Sequence, residues 1–133
     1  MGIWSRLAGD IFLDWLAPTT GLRWIDIGCG NGAFTELIIN RCAPAEVQGV
    51  DPSQGQLAFA RARFTARVAQ FQQGDAMVLP FSKNKFDVAV MALVKLGYSE
   101  SQAAEAVARA ANDLGEAAET AILLREALRG MAR

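Results

Sequence analysis

The sequence predicts an α/β protein with a four-stranded parallel sheet, followed by a helical C-terminal segment. Up to residue 91, short apolar runs alternate with helical stretches, which is the pattern of strands joined by crossover helices. All seven Phe and all three Trp lie at or before Phe86, whereas Tyr98 is the single aromatic residue of the alanine-rich remainder. This change in composition predicts two units that meet near residue 92.

The first element is predicted to be an amphipathic helix that ends before Pro18. Its apolar residues recur at helical spacing, and they are Ile3, Leu7, Ile11 and Trp15. Asp10 and Asp14 interrupt the apolar pattern. The segment is therefore predicted to be neither a signal peptide nor a membrane span.

The four strands are predicted from apolar runs bounded by turn residues, at 22–27, 46–50, 69–73 and 86–91. Helices are predicted after the first two strands, at 32–41 and 53–63. The last strand is expected to pass into a short helix that stops at Gly97, with Lys95 exposed. Two further helices are predicted on either side of Gly115, at 99–114 and 119–132.

The composition excludes several classes of function. A net charge of −1 argues against nucleic acid or an anionic membrane as the partner. The chain has no His, which removes the commonest general base and most transition-metal sites. Cys29 and Cys42 are too far apart for a Cys-x-x-Cys motif. They are predicted to be reduced thiols of a cytoplasmic protein, and no metal is expected.

The strongest chemical signal is a glycine loop, WIDIGCGNGAF, between the first strand and the first crossover helix. Gly28, Gly30 and Gly32 would let the backbone approach a ligand closely, and the helix that follows would present its N-terminal amides. A glycine loop alone is weakly specific. The spacing from Gly28 to Ala33 would also satisfy a dinucleotide-binding fingerprint.

Three acidic residues at strand ends favour a different ligand. Asp26, two residues before the loop, could meet an ammonium group, and Asp51 could accept from two ribose hydroxyls. Asp75 could accept from an adenine amino group while the Ala76 amide donates to a ring nitrogen. Plainer alternatives remain open: Asp51 could cap the next helix, Asp75 could be a turn residue, and the Cys29 side chain could fill a tight loop.

Residues 1–92 resemble the N-terminal half of a class I methyltransferase that uses S-adenosylmethionine (SAM), which implies a Rossmann-like sheet. The resemblance lies in DIGCGNG from Asp26, in GVDPS from Gly49, and in GDA, LPF and FD between Gly74 and Asp87. It implies that the loop cradles the methionine part of SAM and that the helix after Asp51 borders the nucleoside. The implied cofactor-binding residues are Asp26, Gly28, Cys29, Gly30, Gly32, Asp51, Pro52, Asp75 and Ala76.

A methyltransferase of this class has further strands after the fourth, and these help to build the pocket for the methyl acceptor. No strand-like run follows residue 91, and methyl transfer depends on holding the acceptor in line with the sulfonium. At most, SAM binding at low occupancy without methyl transfer is therefore expected. The fourth strand would also have an uncovered edge, which the later helices could cover or which could form a homodimer.

The second unit resembles domain III of RuvA, the Holliday-junction protein, in ALVKLGYSESQA from Ala92 and LREAL from Leu124. The resemblance implies a UBA-like three-helix bundle that binds a RuvB-like ATPase. The implied partner-binding residues are Leu93, Leu96, Tyr98 and Leu128. A bundle this small needs most of its leucines as core, so these residues could equally be buried.

Together the two resemblances predict an artificial chimera of residues 1–91 and 92–133. Two alternatives remain open. The chain could be an interaction module whose competent part is the C-terminal helices, or a small methyltransferase whose acceptor pocket is completed by oligomerisation.

Overall fold

A computed structural model describes residues 3–63, 68–75, 78–82 and 85–91, with helical residues at 105, 108, 109, 112 and 114. The described elements are α1 (Ile3–Leu16), β1 (Arg23–Ile27), α2 (Ala33–Cys42), β2 (Glu46–Asp51), α3 (Gln54–Arg63), β3 (Ala69–Gln73) and β4 (Val88–Met91). Each predicted strand and crossover helix up to residue 91 is found, with its bounds displaced by two residues at most. The five helical residues between 105 and 114 agree with the helix predicted there.

The four strands form one parallel sheet in the order β3-β2-β1-β4. β1 lies between β2 and β4, pairing Ile27 with Val50 on one side and with Met91 on the other. The predicted four-stranded parallel sheet is therefore confirmed. Because the strands are parallel, all their carboxyl ends lie at one edge, and the loops after β1, β2 and β3 meet there.

One face of the sheet is covered by α1 and α2, which pack against each other and against side chains from β1, β2 and β4. Trp24 of β1 is fully buried in one core with Phe34 and Ile38 of α2. Among the described residues, the buried members of this core are Phe12, Leu13, Trp24, Phe34, Ile38, Cys42, Val47, Val88 and Val90. This core holds both helices against the sheet.

The helix α1 is confirmed, but its buried face differs from the apolar stripe in the sequence. Leu7, Ile11 and Trp15 are 47%, 41% and 74% exposed, whereas Phe12 and Leu13 are buried. Contact with α2 selects the buried face, since a Cβ on Gly9 would lie 2.7 Å from Cδ2 of Leu37. The guanidinium of Arg41 on α2 also binds the side chains of Asp10 and Asp14.

The other face of β1 and β4 is also buried within the single chain. Ile25, Ile27, Ala89 and Met91 are each at most 4% exposed, and Leu114 is fully buried. Whether the later helices cover the fourth strand, and whether its edge forms a dimer, stay predictions. Ala76, the short helix before Gly97, the helix at 119–132 and the four predicted partner-binding residues Leu93, Leu96, Tyr98 and Leu128 lie outside the described residues.

Within the described part of the chain, no helix is long and apolar enough to cross a membrane.

Candidate cofactor-binding site

The glycine loop lies at the carboxyl edge of the sheet, between β1 and α2. Gly28, Gly30 and Gly32 have φ values of 76°, 56° and 84°, which residues with a side chain rarely adopt. α2 begins at the residue after Gly32. The three glycines are thus required for the shape of the loop, whichever ligand it meets.

The end of β2 holds the first part of the loop. The amides of Gly28 and Cys29 both donate to the carbonyl of Val50, at 2.7 and 3.1 Å. The amide of Gly30 donates to Oδ2 of Asp51 at 2.9 Å. The predicted loop and the predicted ribose-binding acid are therefore in direct contact.

Asp51 is 7% exposed, and its second oxygen, Oδ1, accepts from the amide of Ser53 at 2.9 Å. The side-chain cap of α3 comes from Ser53 instead, because its Oγ accepts from the amide of Gln56 at 3.2 Å. The side chain of Asp51 is therefore not the cap of α3. Its carboxylate joins the glycine loop to the turn that leads into α3.

Cys29 is 4% exposed and packs against β2. A Cβ on Gly49 would lie 3.0 Å from its Sγ and 2.5 Å from Cδ1 of Phe71. The Cys29 side chain thus fills a tight space, which is the alternative that the sequence left open. Gly49 is a residue whose role the motif match did not explain, although a glycine inside a buried strand is a known sign of close approach.

Asp26 lies on β1, two residues before Gly28, and is 1% exposed. The hydroxyl of Thr35 on α2 donates to its Oδ2 at 2.7 Å, and Thr35 is itself fully buried. A buried carboxylate needs such donors. Sequence reasoning missed Thr35, since nothing in the pattern of α2 shows that this position faces an acid on β1.

The turn after Asp51 and the end of β3 are joined by Gln73, which sequence reasoning also missed. Its Nε2 donates to the carbonyl of Pro52 at 3.0 Å, and its Oε1 accepts from Nε2 of Gln54 at 2.8 Å. Pro52 itself is exposed at the surface of this turn.

Asp75 follows β3 at the same edge and is exposed. Its carbonyl accepts from the amide of Val78 at 3.0 Å, so its backbone does form a turn. The preceding Gly74 packs closely on β2, where a Cβ would lie 2.8 Å from Cγ1 of Val50. The structure thus brings the loop and Asp51 together, with Asp75 on the neighbouring strand end, whereas Asp26 is buried against Thr35 of α2.

The donor and acceptor capacity of this edge suits a nucleoside with two ribose hydroxyls. Each Asp51 oxygen accepts one bond from the loop or the turn, and a carboxylate oxygen can accept two. Both oxygens therefore retain capacity for a hydroxyl donor. Among the described residues, no group of His, Cys, Asp and Glu could hold a metal ion.

A parallel sheet with a glycine loop after β1 and an acid at the end of β2 defines the class of Rossmann-like nucleotide-binding folds. Residues 25–115 match the family model described as "Methyltransferase domain". The chain belongs to this family, and its N-terminal region is a class I SAM-dependent methyltransferase domain.

One curated relative is the ubiquinone/menaquinone biosynthesis C-methyltransferase UbiE of Cereibacter sphaeroides. It is 37% identical over 89 residues, which cover 62% of this chain and 35% of the relative. The chain thus spans about a third of the length of the curated relatives it matches.

Two solved structures are also similar. A SAM-dependent methyltransferase from Mesorhizobium loti has a TM-score of 0.63 and 30% identity, over 82% of this chain and 49% of that one. A TehB-like SAM-dependent methyltransferase from Corynebacterium glutamicum has a TM-score of 0.65 at 23% identity, over 94% of this chain and 70% of that one. At that identity, the second similarity shows the fold alone.

The family match supports the resemblance to methyltransferases. It gives no support to the resemblance to RuvA domain III. It continues through residue 115, past the predicted junction at residue 92. These findings support neither a RuvA-like domain nor a chimera, and the loss of methyl transfer that the sequence predicted is not shown.

Proposed function

We propose that this chain binds SAM at the carboxyl edge of its sheet and forms the cofactor-binding part of a methyltransferase. The contact between the Gly30 amide and Oδ2 of Asp51, at 2.9 Å, carries the proposal. It places an acid with spare acceptor capacity directly beside a loop of positive-φ glycines. A nucleoside joined to an amino acid, as in SAM, needs both features at adjacent positions.

Each part of the site has a proposed role in holding the cofactor. The loop from Gly28 to Gly32 borders the methionine part, and Asp51 accepts from the ribose hydroxyls. Asp26, which the sequence assigned to the ammonium group, is buried and accepts from the Thr35 hydroxyl, so its proposed role is to join β1 to α2. We assign Asp75, which is exposed at the end of β3, to the adenine amino group. When bound, SAM supplies an electrophilic methyl group, and the residues of this chain orient it and shield it from water.

The acceptor is proposed from the relatives. The UbiE proteins are named for C-methylation in ubiquinone and menaquinone biosynthesis, so we propose an aromatic carbon of a quinone precursor as the acceptor for this enzyme. The matched region covers only 35% of such a relative. The candidate site described above would supply the cofactor side of this reaction. An acceptor pocket completed by oligomerisation would make turnover per chain rise with protein concentration.

The test is calorimetric titration of S-adenosylhomocysteine into the wild-type protein, Asp51→Asn and Glu46→Gln. Glu46 begins the same strand that Asp51 ends, so its substitution is a matched control at the opposite edge. Asp51→Asn is expected to weaken binding about 10- to 100-fold, because a charged acceptor is lost, while Glu46→Gln leaves it unchanged. If the wild type releases no heat and its melting temperature does not rise, the proposed site is wrong.

A further inference from the structure

We propose that Arg63 is a positioning residue that holds the glycine loop in the form that receives the amino-acid half of the cofactor. This inference rests on the proposed function. Arg63 is the last residue of α3, and it matches none of the motifs that point to the site. Its role follows from two hydrogen bonds, to the loop and to α2.

The guanidinium of Arg63 connects three parts of the chain. Its Nε donates to the carbonyl of Asn31 at 3.2 Å, and its Nη1 donates to Oε2 of Glu36 on α2 at 3.2 Å. Asn31 lies between two of the positive-φ glycines, Gly30 and Gly32. A side chain from α3 therefore fixes the middle of the loop.

The second half of the loop has local hydrogen bonds, from the Gly32 amide to the Cys29 carbonyl at 3.0 Å and from the Ala33 amide to Oδ1 of Asn31 at 3.1 Å, and Arg63 adds a link to another element. The first half, from Gly28 to Gly30, is tied to the end of β2 by three hydrogen bonds. The carbonyl of Asn31 accepts instead from Arg63 at the end of α3. Glycine-rich backbone has many accessible conformations, and each restraint lowers the entropy that ligand binding must otherwise remove.

The contribution of Arg63 to overall stability is expected to be small. Its side chain is 33% exposed and that of Glu36 is 37% exposed, and exposed ion pairs contribute little to folding. The loss of Arg63 is therefore expected to change the loop without unfolding the protein. This allows the positioning role to be measured separately.

Arg61 provides a matched control on the same helix. Its Nη2 donates to the carbonyl of Phe71 on β3 at 2.9 Å, so it also joins α3 to a backbone carbonyl. Phe71 belongs to a strand, whereas Asn31 belongs to the loop. Arg61→Gln and Arg63→Gln therefore remove the same kind of bond from different targets.

The experiment compares two ligands, S-adenosylhomocysteine and 5′-methylthioadenosine, which retains the nucleoside but lacks the amino-acid group. Arg63→Gln is expected to weaken S-adenosylhomocysteine binding about three- to tenfold, the range of a partly exposed hydrogen bond. Binding of 5′-methylthioadenosine should not change, and Arg61→Gln should leave the ratio of the two affinities at the wild-type value. Equal losses for both ligands, no loss, or the same ratio change in Arg61→Gln would overturn the proposal.

Hydrogen exchange of the loop amides in the free protein gives a second readout that needs no ligand. Arg63→Gln is expected to speed exchange in a peptide covering residues 28–34, and Arg61→Gln is not. Unchanged exchange would show that Arg63 does not hold the loop. If the wild type binds neither ligand, the proposed function fails, and the exchange rates alone still decide whether Arg63 restrains the loop.

Discussion

Arg23 and Asp87 bind each other at the amino edge of the sheet, where β1 begins and the chain enters β4. Nε and Nη2 of Arg23 donate to the two Asp87 oxygens at 3.1 Å each, and the Arg23 amide donates to Oδ2 at 2.9 Å. The Asp87 amide returns a bond to the Arg23 carbonyl at 2.8 Å. The acid that the motif match highlighted beside Phe86 therefore stabilises the sheet at the edge opposite the candidate site.

Lowering the pH is expected to weaken the contact between Arg23 and Asp87. Hydrogen bonds from the side chain and backbone of Arg23 hold the pKa of Asp87 below its usual value. A lowered pKa in the folded state stabilises the fold above the unfolded-state pKa, and that contribution is lost as the pH falls through the folded value. Urea unfolding should show a smaller loss of stability between about pH 6 and about pH 3 in Asp87→Asn than in the wild type. Equal losses would contradict the pairing.

A methyl group at Gly49 is expected to disturb both the sheet and the loop. The added Cβ would lie 2.5 Å from the Phe71 ring and 3.0 Å from Sγ of Cys29, and overpacking typically costs about 1–3 kcal/mol. Gly49→Ala should therefore lower the melting temperature. Gly55→Ala on α3 is the control, since its nearest contact would be Ser53 Oγ at 3.8 Å. It should stabilise the protein by up to about 1 kcal/mol, because alanine favours a helix; equal effects would refute this account.

Removing the Thr35 hydroxyl is expected to destabilise the buried contact between α2 and β1. Thr35→Val keeps the shape of the side chain but deletes the donor that lies 2.7 Å from Oδ2 of Asp26. Losing a hydrogen bond to a buried charged group should cost about 1.5–3 kcal/mol of the free energy of unfolding. Thr35→Ser retains the hydroxyl and should lose less. Denaturant titration of the two variants decides, and a larger loss in Thr35→Ser would argue against this bond.

The orientation of α1 can be tested with one substitution at two positions. Leu13 is 2% exposed and Leu7 is 47% exposed. Leu13→Ala should cost about 2–5 kcal/mol, as buried leucines do, whereas Leu7→Ala should cost about 0.5 kcal/mol or less. Thermal or urea unfolding measures both. If Leu7→Ala proves the more damaging, the helix is rotated from the observed orientation.

The strands, the crossover helices and the glycine loop could be predicted because each depends on residues that are adjacent in the sequence. Apolar runs of strand length alternate with helical stretches, and Gly28, Gly30 and Gly32 follow directly on a strand. The buried face of α1 could not be predicted in this way. Leu7 and Leu13 are equally apolar, and only contact with α2 distinguishes them. Thr35 and Gly49 were missed for the same reason, since their roles depend on which side chains face them across the fold.

The second family resemblance failed to gain support for a related reason. Its motif consists of leucines, alanines and a glycine stop around Tyr98, and such residues suit a packed helix in many folds. The methyltransferase motifs tie particular residues to ends of particular strands. This positional requirement made them the more informative of the two signals.

The bonds that shape the glycine loop also bear on how this protein folds. The Gly30 amide binds an acid 21 residues further along the chain, and the Asn31 carbonyl binds an arginine 32 residues away. Contacts over such separations form only after the intervening chain is arranged. We therefore expect the loop to acquire its shape late, once β2 has paired with β1 and α3 has packed on β2 and β3. Slow hydrogen exchange at its amides would consequently report that the whole β1–α3 unit has assembled.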